Sequence, residues 1–149
     1  MTEGSRASCA LVGTVLRLPF EPASVPSARR RLKTELAAAG VDPQTVADAA
    51  LVLSELASNA LRHGTATHSG DFAVGWHASG GTVTISVIDD GNGGRVAPRP
   101  LTEDHEAGRG LALVERLSES WTTDDRAGMR VTAHLRCSDE PAVRRTPPS

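Results

Sequence analysis

The sequence predicts an α+β protein, a two-layer sandwich in which a mostly antiparallel mixed sheet is covered on one face by about three helices. Two stretches, within 21–40 and over 43–63, carry apolar residues three and four apart, the spacing that gives a helix one apolar stripe. Two further runs, 71–77 and 82–89, alternate with a period of two and are joined by Ser79-Gly80-Gly81, which predicts a hairpin with one buried face. The length of 149 residues suits one such core and leaves no room for a second catalytic domain. Residues 1–10 are expected as a flexible start, 11–136 as the folded domain and 137–149 as a disordered tail.

Taken in order, the first ordered element is a strand within 11–18, where Leu16 and Leu18 alternate with Val15 and Arg17. The period then changes to about 3.6 residues: Val25, Ala28, Leu32, Leu36 and Ala39 form the apolar side of a first helix, closed by Gly40 as its C′ residue. Arg29, Arg30, Arg31 and Lys33 make its outer face basic. A solvated surface is the ordinary reading of such a face, and an acidic partner the less common one. The second helix starts with Asp42 as N-cap and Pro43 at its first position, and ends at His63-Gly64. Val46, Ala49, Ala50, Leu53, Leu56, Ala57 and Ala60 lie on its core stripe.

The opposite face of this second helix carries Glu55, Asn59 and Arg62, spaced so that they stack on one side, with His63 at the edge. Polar residues opposite an apolar stripe are what any amphipathic helix shows. Two details argue that something covers this one: Leu51 and Val52 sit a turn earlier near the same side, and Asn is a poor interior helix residue. His63 reads as a helix-end residue rather than a catalytic one.

In the hairpin, Phe72, Val74 and Trp76 share one side, and Val83, Ile85 and Val87 share one side of the next strand. Asp89 continues the second series, so parity points it toward the core, where a carboxylate needs a donor; Asp90 points the other way. Gly91 and Gly93 follow, in a run that is either a tight turn or a place where a flat ligand approaches the main chain. Residues 95–107 have the composition of a loop that serves as a lid. Gly108, Arg109, Gly110 and Leu111 open a helix whose apolar positions include Leu113, Val114 and Leu117; such an entrance offers backbone N–H groups to phosphate. A closing hairpin is expected from 121–123 and 129–136 around residues 124–128.

Composition narrows the function classes. With 16 basic and 18 acidic residues, the net charge of −2 gives no field that would favour nucleic acid or an anionic membrane. Cys9 and Cys137 lie near opposite ends, without a CxxC partner or a histidine at ligand spacing, and read as free thiols of a reducing compartment. No apolar run approaches the ~20 residues of a bilayer span, and the opening residues contain no hydrophobic signal region. The expectation is a soluble, cytoplasmic protein with no membrane and no direct nucleic-acid partner.

The order of these motifs is more specific than any one of them. A helix with SELASNALRHGTAT, a hairpin ending in VIDDGNGG, a lid, and GRGLALVERLSESW resemble the superfamily of gyrase, the heat-shock chaperone, histidine kinases and the mismatch-repair ATPase, over roughly residues 15–136. Within it the chain looks most like the anti-sigma-factor serine/threonine kinase branch. That resemblance implies a Bergerat-type ATP-binding fold, with ATP and Mg²⁺ as cofactors. It implies Asp89 as acceptor of the adenine amino group, Asn59 as the magnesium ligand, Glu55 as general base and Arg62 near the phosphates. It implies that Gly91 and Gly93 contact base and lid, and that Gly108, Arg109, Gly110 and Leu111 form the phosphate end of the site. The implied partners are an antagonist (anti-anti-sigma) protein phosphorylated on Ser or Thr and a sigma factor held in a partner switch, and a homodimer is compatible with the branch. A non-catalytic module that needs ATP for its shape is the alternative. The closing strand, AGMRVTAHL, departs from the glycine-threonine run more common in relatives.

Overall fold

A computed structural model of the chain describes residues 12–91, 112–125 and 128–137. In order these form β1 (Val12–Pro19), α1 (Ser24–Ala38), α2 (Pro43–His63), β2 (Asp71–Ser79), β3 (Thr82–Asp89), a helical turn α3 over 112–117, β4 (Ser120–Asp124) and β5 (Met129–Arg136). The expected flexible start, up to residue 11, and the tail beyond residue 137 lie outside the described residues.

The strands form one five-stranded sheet in the order β1-β2-β3-β5-β4. All four pairings are antiparallel, one step beyond the mostly antiparallel mixed sheet expected. Two successive helices between β1 and β2 return the chain to the end from which it left, so β2 runs back along β1. The crossover from β3 to β4 gives two strands of like direction, but β5 inserts between them and removes the parallel pair. β2 and β3 extend to a two-residue turn, Gly80-Gly81, with φ of 60° and 87°; a twist-matched hairpin turn needs positive φ at both positions.

The helices begin and end for the reasons their sequences suggest. Asp42 caps α2 by accepting from the Thr45 backbone N–H at 3.0 Å, and Pro43 follows where no donor is needed. Gly40, at φ 89°, closes α1 with its N–H on the Ala37 carbonyl at 3.0 Å. Both helices pack on one sheet face: Leu32 and Leu36 of α1 and Leu53 of α2 lie against Phe72, Val74, Val83, Ile85 and Val87 with essentially no exposure. Val52 is fully buried rather than on the polar side, because α2 packs on α1 as well as on the sheet; Leu51 stays 46% exposed. Among the described residues no helix covers the other sheet face, and Val15 there is 74% exposed.

Glu35 ties the two layers together. Its Oε1 accepts from Thr14 Oγ1 on β1 at 2.5 Å and from Trp76 Nε1 on β2 at 3.1 Å, while Oε2 accepts from Arg31 Nε at 2.7 Å. These bonds, the Thr14 hydroxyl foremost, hold its carboxyl below its ordinary range against the opposing effect of partial burial.

Candidate functional site

The site is built where the last residue of β3 meets the end of α2. Alternation along β3 places Asp89 on the helix-facing side, opposite Met129 of β5, and leaves it 3% exposed. Its neighbour Asp90 is exposed, so only Asp89 faces inward. Asp89 Oδ1 accepts from the Gly91 N–H at 2.5 Å, with the Thr65 N–H at 3.5 Å. The donor that parity demanded is therefore supplied partly by the main chain just after the strand. Gly91 makes this turn at φ 74°, a conformation costly for a residue with a Cβ.

The loop leaving α2 is fastened to this strand end. The Gly64 N–H donates to the Ala60 carbonyl at 2.7 Å, and the Asp90 N–H donates to the Thr65 carbonyl at 2.8 Å. Five residues before Gly64, about 7.5 Å along the helix axis, stands Asn59. Its side-chain Oδ1 is buried and accepts no hydrogen bond among the described residues. An unsatisfied buried acceptor costs about 1–3 kcal/mol, so a helix that keeps one is suited to a ligand that fills it. A hard cation sharing phosphate oxygens is such a ligand, and an amide oxygen is an appropriate donor to it. Glu55, one turn further back, is partly exposed; Arg62, on the same side, is exposed. The residues present thus fit a nucleotide and its cation, with the carboxylate at one end and the amide and Glu55 along the helix.

Gly93 and the run Gly108, Arg109, Gly110 and Leu111 lie outside the described residues, as does the expected lid at 95–107. Helix α3 over 112–117 follows that run directly and buries Val114 completely, as the apolar spacing predicted. Among the described residues no group of three or more His, Cys, Asp or Glu forms a metal cluster. A hollow of about 250 Å³ on the open face has Gly13, Val15, Gly75, His77, Ser86 and Arg130 in its lining; Asp89 faces the other side of the sheet and has no part in it.

Two residues of the site escaped the sequence reading. Gly64 was legible only as a helix end, yet its φ of −97° would suit any residue. What excludes a side chain there is contact: a Cβ would lie 2.5 Å from Asp89 Cγ and 2.7 Å from the Ala60 carbonyl oxygen. Gly128, at φ 87°, is likewise closed to a side chain, since a Cβ there would run into the Asp89 main-chain carbonyl from the β5 side. No local pattern announces either contact, because each joins segments distant in sequence.

Comparison with known proteins agrees with this geometry. The family model of the histidine kinase-like ATPase domain matches residues 18–135. Anti-sigma F factors of Thermoanaerobacter sp. (strain X514) and of Thermoanaerobacter pseudethanolicus are each 33% identical over 112 residues, covering 74% of this chain and 69% of theirs. The crystal structure of the RsbU and RsbW domains of Rv1364c from Mycobacterium tuberculosis superposes with a TM-score of 0.68 at 27% identity, over 87% of this chain and 34% of that one. The chain therefore spans about a third of that solved protein. The SiaB-SiaC complex from Pseudomonas aeruginosa shares the fold, with a TM-score of 0.58 at 17% identity over 85% of this chain and 90% of that one. A buried carboxylate closing the third strand, an amide oxygen on the preceding helix with no partner among the described residues, and a match along most of the chain lead to one assignment: this chain belongs to the histidine kinase-like ATPase domain family, in its anti-sigma-factor branch.

Proposed function

We propose that the chain is an ATP-binding regulator of anti-sigma-factor type that phosphorylates a serine or threonine of an antagonist protein and sequesters a sigma factor in a partner switch. The observation that carries this reading is the buried Oδ1 of Asn59, without a partner among the described residues, on the helix whose end abuts the buried carboxylate of Asp89. Asp89 receives the adenine amino group. Gly91 and Gly93 let base and lid approach the main chain, and residues 108–111 offer backbone N–H groups to the phosphates. Arg62 and Arg109 add positive charge at the phosphate end.

Asn59 holds magnesium, which when bound offsets the negative charge on the phosphate oxygens. Glu55 orients the acceptor hydroxyl and takes its proton as the oxygen attacks the γ-phosphorus; the bond to the bridging oxygen breaks and ADP leaves. The exposed Arg30 and Lys33 of α1 suit an acidic partner surface. The anti-sigma F factor relatives support a sigma factor as partner, and a homodimer fits the open sheet and its exposed edge strand. No described helix is long and apolar enough to cross a membrane. A sigma factor as partner makes the cytoplasm the proposed site of action.

The deciding experiment follows labelled phosphate from ATP to the purified antagonist, with Glu55→Ala beside the unaltered chain. Transfer that disappears in Glu55→Ala while nucleotide binding persists is the expected result. Tight ATP binding without transfer in the unaltered chain would replace the kinase with a non-catalytic module that uses ATP for shape.

A further inference from the structure

We infer that Gly64 is a positioning residue for base recognition, acting through the Asp89 carboxylate; the inference rests on the adenine-binding role proposed for Asp89. Among the described residues, main-chain groups crowd Asp89 from several elements. Its Oδ1 takes the Gly91 N–H at 2.5 Å and faces the Thr65 N–H at 3.5 Å, and its main-chain carbonyl lies against Gly128. From the helix side the main chain of Gly64 borders the carboxylate so closely that a methyl group there would stand 2.5 Å from Cγ.

Real Cβ atoms do not approach so near, so a side chain at position 64 forces a displacement. The Gly64 N–H is bonded to the Ala60 carbonyl at 2.7 Å and the Thr65 carbonyl to the Asp90 N–H at 2.8 Å, so the loop cannot retreat without breaking backbone bonds. The carboxylate is the softer partner, and it turns. Because φ at Gly64 is −97°, backbone conformation does not require glycine; the bare Cα serves the contact. Gly64 thus holds the carboxylate in the one orientation that α2 and β3 jointly allow, and the direction in which Asp89 meets an exocyclic amino group is set from the helix side.

The test compares ATP with purine riboside triphosphate, which lacks the 6-amino group, by displacement of a fluorescent ATP analogue from the full chain. In the unaltered protein ATP binds more tightly than the purine analogue by roughly tenfold or more, the value of one buried hydrogen bond to a charged acceptor. In Gly64→Ala the affinity for ATP falls about tenfold while that for the purine analogue stays within about twofold, so the preference disappears. A merely structural loop residue would weaken both nucleotides alike, and that result, or an unchanged preference, overturns the inference.

Asp89→Glu is the second variant and does not depend on Gly64→Ala folding. If Gly64 leaves no room beyond the carboxylate, the longer side chain also loses the preference, although its charge is kept; a retained preference overturns the inference. Failure of the unaltered chain to favour ATP would instead sink the adenine-binding role of Asp89, so the two failures are distinguishable.

Discussion

A carboxylate that is 3% exposed survives in a fold only where donors meet it, and at Asp89 these donors include the main-chain N–H groups of Gly91 and Thr65. Replacing Asp89 by Asn leaves an oxygen for Gly91 but sets an NH₂ donor where the amino group of the base must also donate. Asp89→Asn is therefore expected to weaken ATP binding by about 1–3 kcal/mol, and Asp90→Asn, on the exposed side, to change it by no more than about 0.5 kcal/mol. Fluorescent-nucleotide titration of the two variants checks this. Equal affinities for both would remove Asp89 from the site. That Asp89 faces inward was legible from parity alone, since it extends the series Val83, Ile85 and Val87; that its carboxylate is pressed by Gly64 was not, because a contact between a helix end and a strand end leaves no trace in either local pattern.

At the scale of elements, periodicity and caps carried the information. α2 runs from Pro43 to His63 as predicted because an N-cap, a proline at the first position and an uninterrupted apolar stripe all agree. The attachment of β1 was illegible, since it depends on side chains from several elements. Thr14 and Trp76 donate to Glu35, and Arg17 pairs with Asp71 through two bonds of 3.1 Å. Hydrogen bonds, from Thr14 at Glu35 and from Arg17 at Asp71, lead the causes that hold both carboxyls below their ordinary values of 4.5 and 3.8. A carboxyl depressed in the folded state contributes stability that is complete above its unfolded value and is lost as pH falls through the lower folded value. Acid should therefore weaken the hold on β1 progressively below about pH 4.5, the ordinary Glu35 value. Hydrogen exchange across 12–19 measured down an acid series checks this, and the Glu35→Gln variant should show loosened β1 amides already at neutral pH. Protection that does not change with pH or in the variant would mean that backbone pairing with β2 alone secures the strand.

For the whole molecule, the orphaned oxygen of Asn59 links folding to ligand. Without nucleotide it is a cost, and alanine is the better helix residue by roughly 0.7 kcal/mol, so Asn59→Ala should leave the apo protein at least as stable as the unaltered chain. With nucleotide the order reverses. A ligand at a hundred times its dissociation constant adds about 2.7 kcal/mol, which for a domain of this size raises the melting temperature by about 5 to 10 °C. In the unaltered chain ATP with magnesium should give a larger rise than ATP with a chelator, and in Asn59→Ala the two rises should coincide. A melting series with six conditions, each of the two proteins without nucleotide, with ATP and a chelator, and with ATP and magnesium, reads both halves of the argument. If Asn59→Ala lowers the apo melting temperature, Asn59 holds the helix together rather than waiting for a cation; if the magnesium increment survives the substitution, the metal is held by other groups, and the amide would lose its role as the ligand that joins this helix to the phosphates.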